Sequence, residues 1–206
     1  METLAAIKKR RSVRVFSKKR VPEKMIRQVV ESGLRAPSSK NAQPWKIFVV
    51  QNKKVLQSIG RYMEKTKYPQ REPSDPVTGE IRRGYVPSVI ESGKIISGCP
   101  VLLVIENTCP FSRGRSWVRK SKFFNGIYGH DSEMISLGCA IQNMHLMATD
   151  LGLGTVIIAD VVVEEDKIKK ILGIKGDLIA AMPLGFPAYW PPERDPDYEK
   201  YVIEKK

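Results

Sequence analysis

Long apolar runs are missing from this 206-residue chain. The longest fall well short of the ~18 residues that a membrane-spanning helix needs. The N-terminal stretch turns basic at Lys8-Lys9-Arg10-Arg11 before any apolar segment builds up, which does not fit a signal peptide. Cysteine is scarce: Cys99, Cys109 and Cys139 are odd in number and show no C-x-x-C spacing. That argues against a disulfide framework or a zinc ribbon and for a reducing, cytoplasmic setting. Histidine is scarcer still. His130 and His145 are too few for a His-rich metal site, so no metal ligand is assigned. No G-x-S-x-G motif and no Cys–His pair supply a nucleophile, and no side chain is assigned a catalytic role. No internal repeat or linker divides the chain, so residues 1–206 are read as one domain.

Acidic residues are also in short supply. Lys and Arg number 35 against 22 Asp and Glu, a net charge of +13. Such a balance favours an anionic partner: nucleic acid, a membrane surface or a phosphorylated small molecule. The excess is local. Residues 1–20 hold eight basic side chains against Glu2, and Arg113, Arg115, Arg119, Lys120 and Lys122 crowd residues 111–122 with no acid. Residues 164–206 are near neutral, and no RNA or DNA motif accompanies the basic clusters.

The periodicities predict helices and strands in mixed order. A short helix around Leu4 and Ile7 leads into the basic cluster. Met25, Ile26, Val29, Val30 and Leu34 share a helical face after Pro22, and Pro37 stops that helix. Strands are expected at 45–50, 101–105, 155–159 and 178–184, and helices around 55–63, 88–97 and 164–172. Residues 66–88, with four prolines, read as a loop, and 106–130 as an irregular basic and aromatic insertion. The strongest helix is 131–151, with Asp131 as N-cap and a seam of Met134, Leu137, Ile141, Met144, Ala148 and Leu151. That seam fits another helix, in this chain or in a partner. The whole reads as an α+β domain with helices covering a mixed sheet.

Two segments can carry chemistry. Arg10-Arg11-Ser12-Val13-Arg14 concentrates forked donors and a hydroxyl, suited to a phosphate. A solvated basic face or a nucleic-acid arm would look the same. Ala36-Pro37-Ser38-Ser39-Lys40-Asn41-Ala42-Gln43-Pro44-Trp45 offers donors and acceptors for a heterocycle edge on a stiff loop. An ordinary helix-to-strand connection would use similar residues. Leu151-Gly152-Leu153-Gly154 follows a helix and precedes a strand, the reverse of a dinucleotide fingerprint.

In this order, R-R-S-x-R followed by A-P-S-S-x-N-x-Q-P-W resembles the nitroreductase family of FMN-dependent oxidoreductases. Ile141–Ala148, Leu151–Thr155 and Met182–Pro187 are similar to later family segments. The resemblance covers about residues 4–196, apart from 66–90 and 106–130. It implies a three-layer fold with a mostly antiparallel central sheet, in an intertwined homodimer with two FMN sites. The helix 131–151 seam is then a candidate interface. Arg10, Ser12 and Arg14 match positions that hold the FMN phosphate, ribityl chain and pyrimidine edge, and Arg11 contributes through its backbone. Pro37, Ser38, Ser39 and Asn41, with Gln43 beside them, match the loop that a second subunit lays against the flavin. Lys94 resembles a cation near the pyrimidine carbonyl, where it would stabilise reduced flavin. Ala159 and Asp160 match the place where backbone N–H groups face flavin N5, although many relatives carry Glu-Gly there. Arg194 resembles a C-terminal residue that closes on the phosphate.

The implied activity passes hydride from NADH or NADPH, through flavin N5, to a small electrophilic acceptor such as a nitroaromatic or quinone. The two half-reactions would share one pocket in a ping-pong cycle. In the insertion, Arg113, Arg115 and Arg119 with Trp117, Phe123 and Phe124 either recognise an anionic or aromatic ligand or form a solvated flap. Two other readings stand beside this one: a basic nucleic-acid-binding protein, and a nitroreductase relative with weak FMN binding and no turnover.

Overall fold

The computed structural model describes residues 2–67, 88–120, 124–193 and 196–205. Most of the expected 66–88 loop therefore lies outside the described residues. Strand β2 (Val101–Asn107) is buried at every position. Its backbone is paired on both sides, antiparallel to β1 (Trp45–Val50) and to β4 (Asp177–Gly185). The two-residue β3 (Gly154–Thr155) closes the order β1-β2-β4-β3. One parallel bridge, Ser12 to Thr155, makes the sheet mixed at that edge. The expected 155–159 strand is thus shorter than the apolar run implied, resuming only as the bridge Ile158–Ala181.

Successive strand residues point to opposite faces, and helices cover both. Val101, Leu103, Ile105, Met182 and Leu184 pack against α2 (Glu23–Leu34) and α6 (Phe124–Asp150). Leu102, Val104, Leu178 and Ala181 pack against α3 (Lys53–Glu64), α4 (Ser88–Gly98) and α7 (Glu165–Leu172). This is the three-layer, mostly antiparallel α+β fold that the sequence implied. The remaining helices are α1 (Thr3–Lys9), α5 (Arg115–Lys120) and α8 (Tyr198–Tyr201). Among the described residues no helix is long and apolar enough to cross a membrane.

Two expectations need correction. The seam on the long helix does not face a partner. Leu137, Ile141, Met144 and Ala148 close against Ile26, Val29 and the sheet of the same chain. The face left open carries Ile135, 70% exposed. Nor is 106–130 irregular throughout: it contains α5, and α6 begins at Phe124 rather than after Asp131. Gly126 and Gly129 lower the local helix propensity by about 1 kcal/mol each, which hides the helix from a sequence reading. Tertiary packing overrides this. A Cβ on Gly126 would sit 2.5 Å from Trp117 Cζ3, and one on Gly129 would sit 2.9 Å from Phe111 Cβ. The bare helix surface is where those two aromatic side chains rest.

Helices α3 and α4 cross at a similar contact. A Cβ on Gly60 would lie 2.0 Å from Ser97 Oγ and 2.5 Å from the Gly93 carbonyl oxygen. The hydroxyl can rotate away, but the carbonyl belongs to the backbone. Gly60→Ala is therefore expected to destabilise by about 1–3 kcal/mol through overpacking, despite the better helix propensity of Ala. Urea unfolding at one fixed protein concentration tests this; an unshifted midpoint would show that the two helices separate freely.

Candidate functional site

The basic N-terminal segment is fixed by backbone pairing. After α1 the chain runs extended along the end of the sheet. Val13 N donates to Thr155 O (3.0 Å), Ser17 N to Phe186 O (2.8 Å) and Ala188 N to Val15 O (3.0 Å). Val13 is fully buried, so its neighbours turn outward. Arg10, Arg11, Ser12 and Arg14 then line a cleft of about 270 Å3 with Pro191 and Pro192.

The arginines are not equivalent. Arg11 Nε donates to Pro192 O at 3.0 Å, and Nη2 pairs with Glu193 at 2.9 Å. Its Nη1 donates to the carbonyls of Lys8 and Arg10. This side chain buckles the C-terminal segment onto the N-terminal one and has few donors left for a ligand. Arg14 Nη1 donates to Ser12 O at 3.2 Å. Arg10 has no carboxylate partner among the described residues. Arg194 lies outside them.

His145 holds this segment from inside. It is 2% exposed on α6, and its Nε2 lies 3.1 Å from Arg11 O. A carbonyl only accepts, so Nε2 carries the proton and Nδ1 is bare. Nδ1 and the neighbouring strand's Thr155 Oγ1 are both buried without a partner among the described residues. Burial pushes the imidazole pKa down to about 4; the Arg11 carbonyl opposes this and the Arg10 charge adds to it.

A second, larger cleft of about 840 Å3 shares Arg14 with the first. Besides Arg14, its polar residues are Ser88, Glu91, Ser92, Lys94 and Asp160; Val156, Ile157 and Ala159 also line it. Lys94 Nζ pairs with Glu91 one helical turn away, at 2.9 Å. Asp160 Oδ2 accepts from Ser92 Oγ at 3.1 Å, while Oδ1 is buried with no partner among the described residues. A compact cationic cleft and a roomier one with an apolar wall thus share Arg14. That pair of environments fits FMN, which joins a phosphate to a planar ring system through a polyol chain.

The Pro37–Pro44 loop lies elsewhere. Pro37, Ser38, Ser39, Asn41 and Gln43 line neither cleft that Arg14 borders. Lys40, Asn41 and Gln43 have φ of 50°, 54° and 46°, in the left-handed region. Cys109 (57°) and Arg113 (59°), on the loop after β2, share it. Each costs roughly 1–2 kcal/mol relative to ordinary backbone, and local bonds hold them there. Gln43 N donates to Ser38 Oγ (3.0 Å), Gln43 Nε2 to Asn41 Oδ1 (3.2 Å), Ser39 N to Ser136 Oγ (3.2 Å) and Thr108 N to Pro44 O (2.7 Å).

Glu133 braces the second loop. It is 1% exposed and accepts from Asn107 Nδ2, Phe111 N, Ser112 N and Ser112 Oγ at 2.6–2.9 Å. Burial alone would raise its pKa, yet those four hydrogen bonds outweigh it and hold the carboxyl below the usual range.

The insertion's three arginines do not act together. Arg115 pairs with Glu165 (3.0 Å) and donates to Leu178 O (2.8 Å), tying α5 to the sheet. Arg119 is exposed. Arg113 lines a third cleft, of about 520 Å3, that it shares with Ser39 and Lys40. Phe123 lies outside the described residues. Sequence reasoning gave no ligand-facing role to Lys40, which stands at the variable position of S-S-x-N. It also gave no role to Glu133, for which no local pattern signals a brace.

His145 and Glu133 both make the fold acid-sensitive. His145 has a folded pKa of about 4, below the ordinary 6.5. The unfolded chain therefore takes a proton first as pH falls, and stability present above 6.5 is lost down to about 4. The integrated effect is on the order of 3 kcal/mol. Glu133 adds a loss at still lower pH, through its own lowered pKa. His145→Gln is expected to flatten the stability profile between pH 6.5 and 4 in chemical denaturation. An unchanged slope there would remove His145 as its source.

Comparison with known proteins agrees with this architecture. The model of the nitroreductase family matches residues 7–186. A Methanothermobacter thermautotrophicus protein, provisionally named an NADH dehydrogenase/NAD(P)H nitroreductase, is 27% identical over 210 residues, covering 100% of this chain and 88% of its own. Solved structures share the fold. A provisionally named nitroreductase from Desulfovibrio desulfuricans, in complex with FMN, has a TM-score of 0.69 at 21% identity and covers 100% of this chain and 98% of its own. The NADPH:FMN oxidoreductase of Vibrio harveyi, complexed with NAD+, has a TM-score of 0.71 at 18% identity and covers 99% and 77%. With a family match spanning most of its length, from the end of α1 through β4, this chain belongs to the nitroreductase family.

Proposed function

We propose that the protein is an FMN-dependent NAD(P)H oxidoreductase that works as a homodimer. The observation that carries this is that Arg14 borders both a compact cationic cleft and a larger cleft with an apolar wall. Family membership and relatives named as NAD(P)H nitroreductases support it.

Arg10, Ser12 and Arg14 hold the phosphate and polyol, with forked guanidinium donors and a compact hydroxyl. His145 keeps the Arg11 carbonyl turned inward and so sets the path of that segment. Arg11 locks the tail across it through Glu193 and Pro192. Lys94 and Asp160 place one cation and one carboxylate beside the ring system, and Ala159 supplies backbone there. When bound, FMN supplies the two-electron chemistry, taking hydride at N5 from NADH or NADPH and passing it to an electrophilic acceptor such as a nitroaromatic or quinone. The protein binds, orients and excludes water; no side chain needs to act as nucleophile. Donor and acceptor use the same open face in turn, which gives ping-pong kinetics.

The position of Pro37, Ser38, Ser39, Asn41 and Gln43 supports the homodimer. In one chain this loop lines neither Arg14 cleft; in a symmetric pair each loop completes the site of the other subunit. Ile135, Leu4 and Ile203 offer exposed apolar surface for that contact, at 70%, 61% and 86% exposure.

Protein reconstituted with FMN is expected to show a visible flavin band that bleaches on anaerobic addition of NADH or NADPH. A protein that stays colourless with FMN rejects the reading. Arg10→Ala should weaken FMN binding by about ten- to a hundredfold, the loss of a charge-assisted contact. The shared site has its own test. Heterodimers that pair an Arg14→Ala subunit with an Asn41→Ala subunit keep one intact site, and should bind FMN more tightly than either homodimeric variant. Equal affinity in all three would place each site within a single chain.

A further inference from the structure

We propose that the third cleft is an anion-recognition subsite in which Lys40 and Arg113 hold a carboxylate on an aromatic electron acceptor; this rests on the oxidoreductase reading above. The cleft, about 520 Å3, lies between the 37–44 loop and the loop after β2. Its cations come from both loops, and both backbones are held in the left-handed region.

The charges here are uncompensated. Four cations elsewhere are neutralised locally: Arg11 by Glu193, Lys94 by Glu91, Arg115 by Glu165 and Lys167 by Glu164. Lys40 and Arg113 have no carboxylate partner among the described residues. Two acids on the surrounding elements are already committed. Glu133 is saturated by four hydrogen bonds and turned into the protein, and Asp177 accepts from Arg115 N. Neither lines the cleft.

Aromatic rings hold both cations without neutralising them. Lys40 Nζ lies 5.9 Å from the Phe111 ring centroid, and Arg113 Cζ lies 5.6 Å from that of Trp117. Ser39 and the partly exposed Phe111 also line the cleft. A guanidinium fork matches the planar geometry of a carboxylate, and Phe111 matches a flat ring. Phosphate already has a better-built cleft at Arg10 and Ser12. The occupant that uses every feature is therefore a benzoate-like acceptor.

The cleft is built by one chain, so binding can be read without turnover. The probes are 4-nitrobenzoate and its neutral isostere 4-nitrobenzamide, titrated calorimetrically into oxidised, FMN-reconstituted protein without NAD(P)H. The wild type should bind 4-nitrobenzoate more tightly, and salt should weaken only that probe. Lys40→Met and Arg113→Met keep apolar bulk and should each weaken 4-nitrobenzoate by about tenfold, with 4-nitrobenzamide moving by less than about twofold. Equal wild-type affinity for the two probes overturns the proposal. So does an equal loss of both in the variants, which would indicate general damage to the loops. Variants that raise the NADPH Michaelis constant over that for NADH, with 4-nitrobenzoate unchanged, overturn it in favour of a nicotinamide phosphate. The flavin band of the same samples separates the two readings. A chain that lacks it but still distinguishes the probes keeps the subsite and loses the oxidoreductase; a bleaching flavin with no discrimination does the opposite.

Discussion

Strand β2 requires burial on both faces, and the other layers are arranged to meet that need. From Val101 to Ile105 it is continuously apolar, so neither face can be left to water. An antiparallel strand with one solvated face would alternate; this one does not, and helices cover it on both sides. Its backbone needs partners too, and β1 and β4 supply them along its length. The strand's end is also closed. Glu106 is 3% exposed and turns its carboxylate onto the N–H groups of Lys175 and Gly176, fixing the entry to β4. With the centre so constrained, variation is left to the segments around the sheet, and the candidate site is built there.

Acids and bases are used differently in this molecule. Glu133, Glu106 and Glu165 serve as internal braces, each accepting backbone N–H groups that would otherwise lack partners. Most cations stay at the surface. The sequence charge of +13 therefore understates how positive the outside is, because part of the negative charge is spent inside. Nor is the basic insertion one uniform patch. Arg115 is structural, Arg119 is solvated, and Arg113 faces a cleft with Lys40. A count of basic residues could not separate these roles; the location of the acids does.

The layers of the fold were legible because they depend on apolar periodicity. The helix 22–34 face, the buried β2 and the long-helix seam all follow from spacing alone. Four site residues, Arg10, Arg11, Ser12 and Arg14, were legible as a group because they are adjacent in sequence. Three features were not. The start of α6 was hidden by Gly126 and Gly129, whose role is to admit Trp117 and Phe111. The partner of the α6 seam was ambiguous because an apolar stripe does not state which chain covers it. Lys40 and Arg113 were illegible as a pair, since seventy-odd residues separate them and only the folded loops bring them to one cleft. Asn52 is an intermediate case. It caps α3 by accepting from Lys54 N and Val55 N, a recognisable role for Asn before an apolar-periodic run.

Backbone strain connects the interior to the site. Among the described residues, all five non-glycine residues with positive φ lie on the two loops after α2 and β2. Loops this short would relax if free, since each such residue favours ordinary backbone. They stay because α6 reaches both. Ser136 takes the Ser39 N–H, and Glu133 takes those of Phe111 and Ser112. These two residues stand three apart on α6, Ser136 next to Leu137 of the core seam and Glu133 one turn before it. His145, farther along the same helix, takes hold of the Arg11 carbonyl. A single helix, packed by its apolar stripe, therefore sets both the strained loops and the cationic segment. Because that stripe is buried against α2 and the sheet, α6 cannot slide or turn without opening the core. The core's stability is what keeps the site's groups in conformations they would not adopt alone.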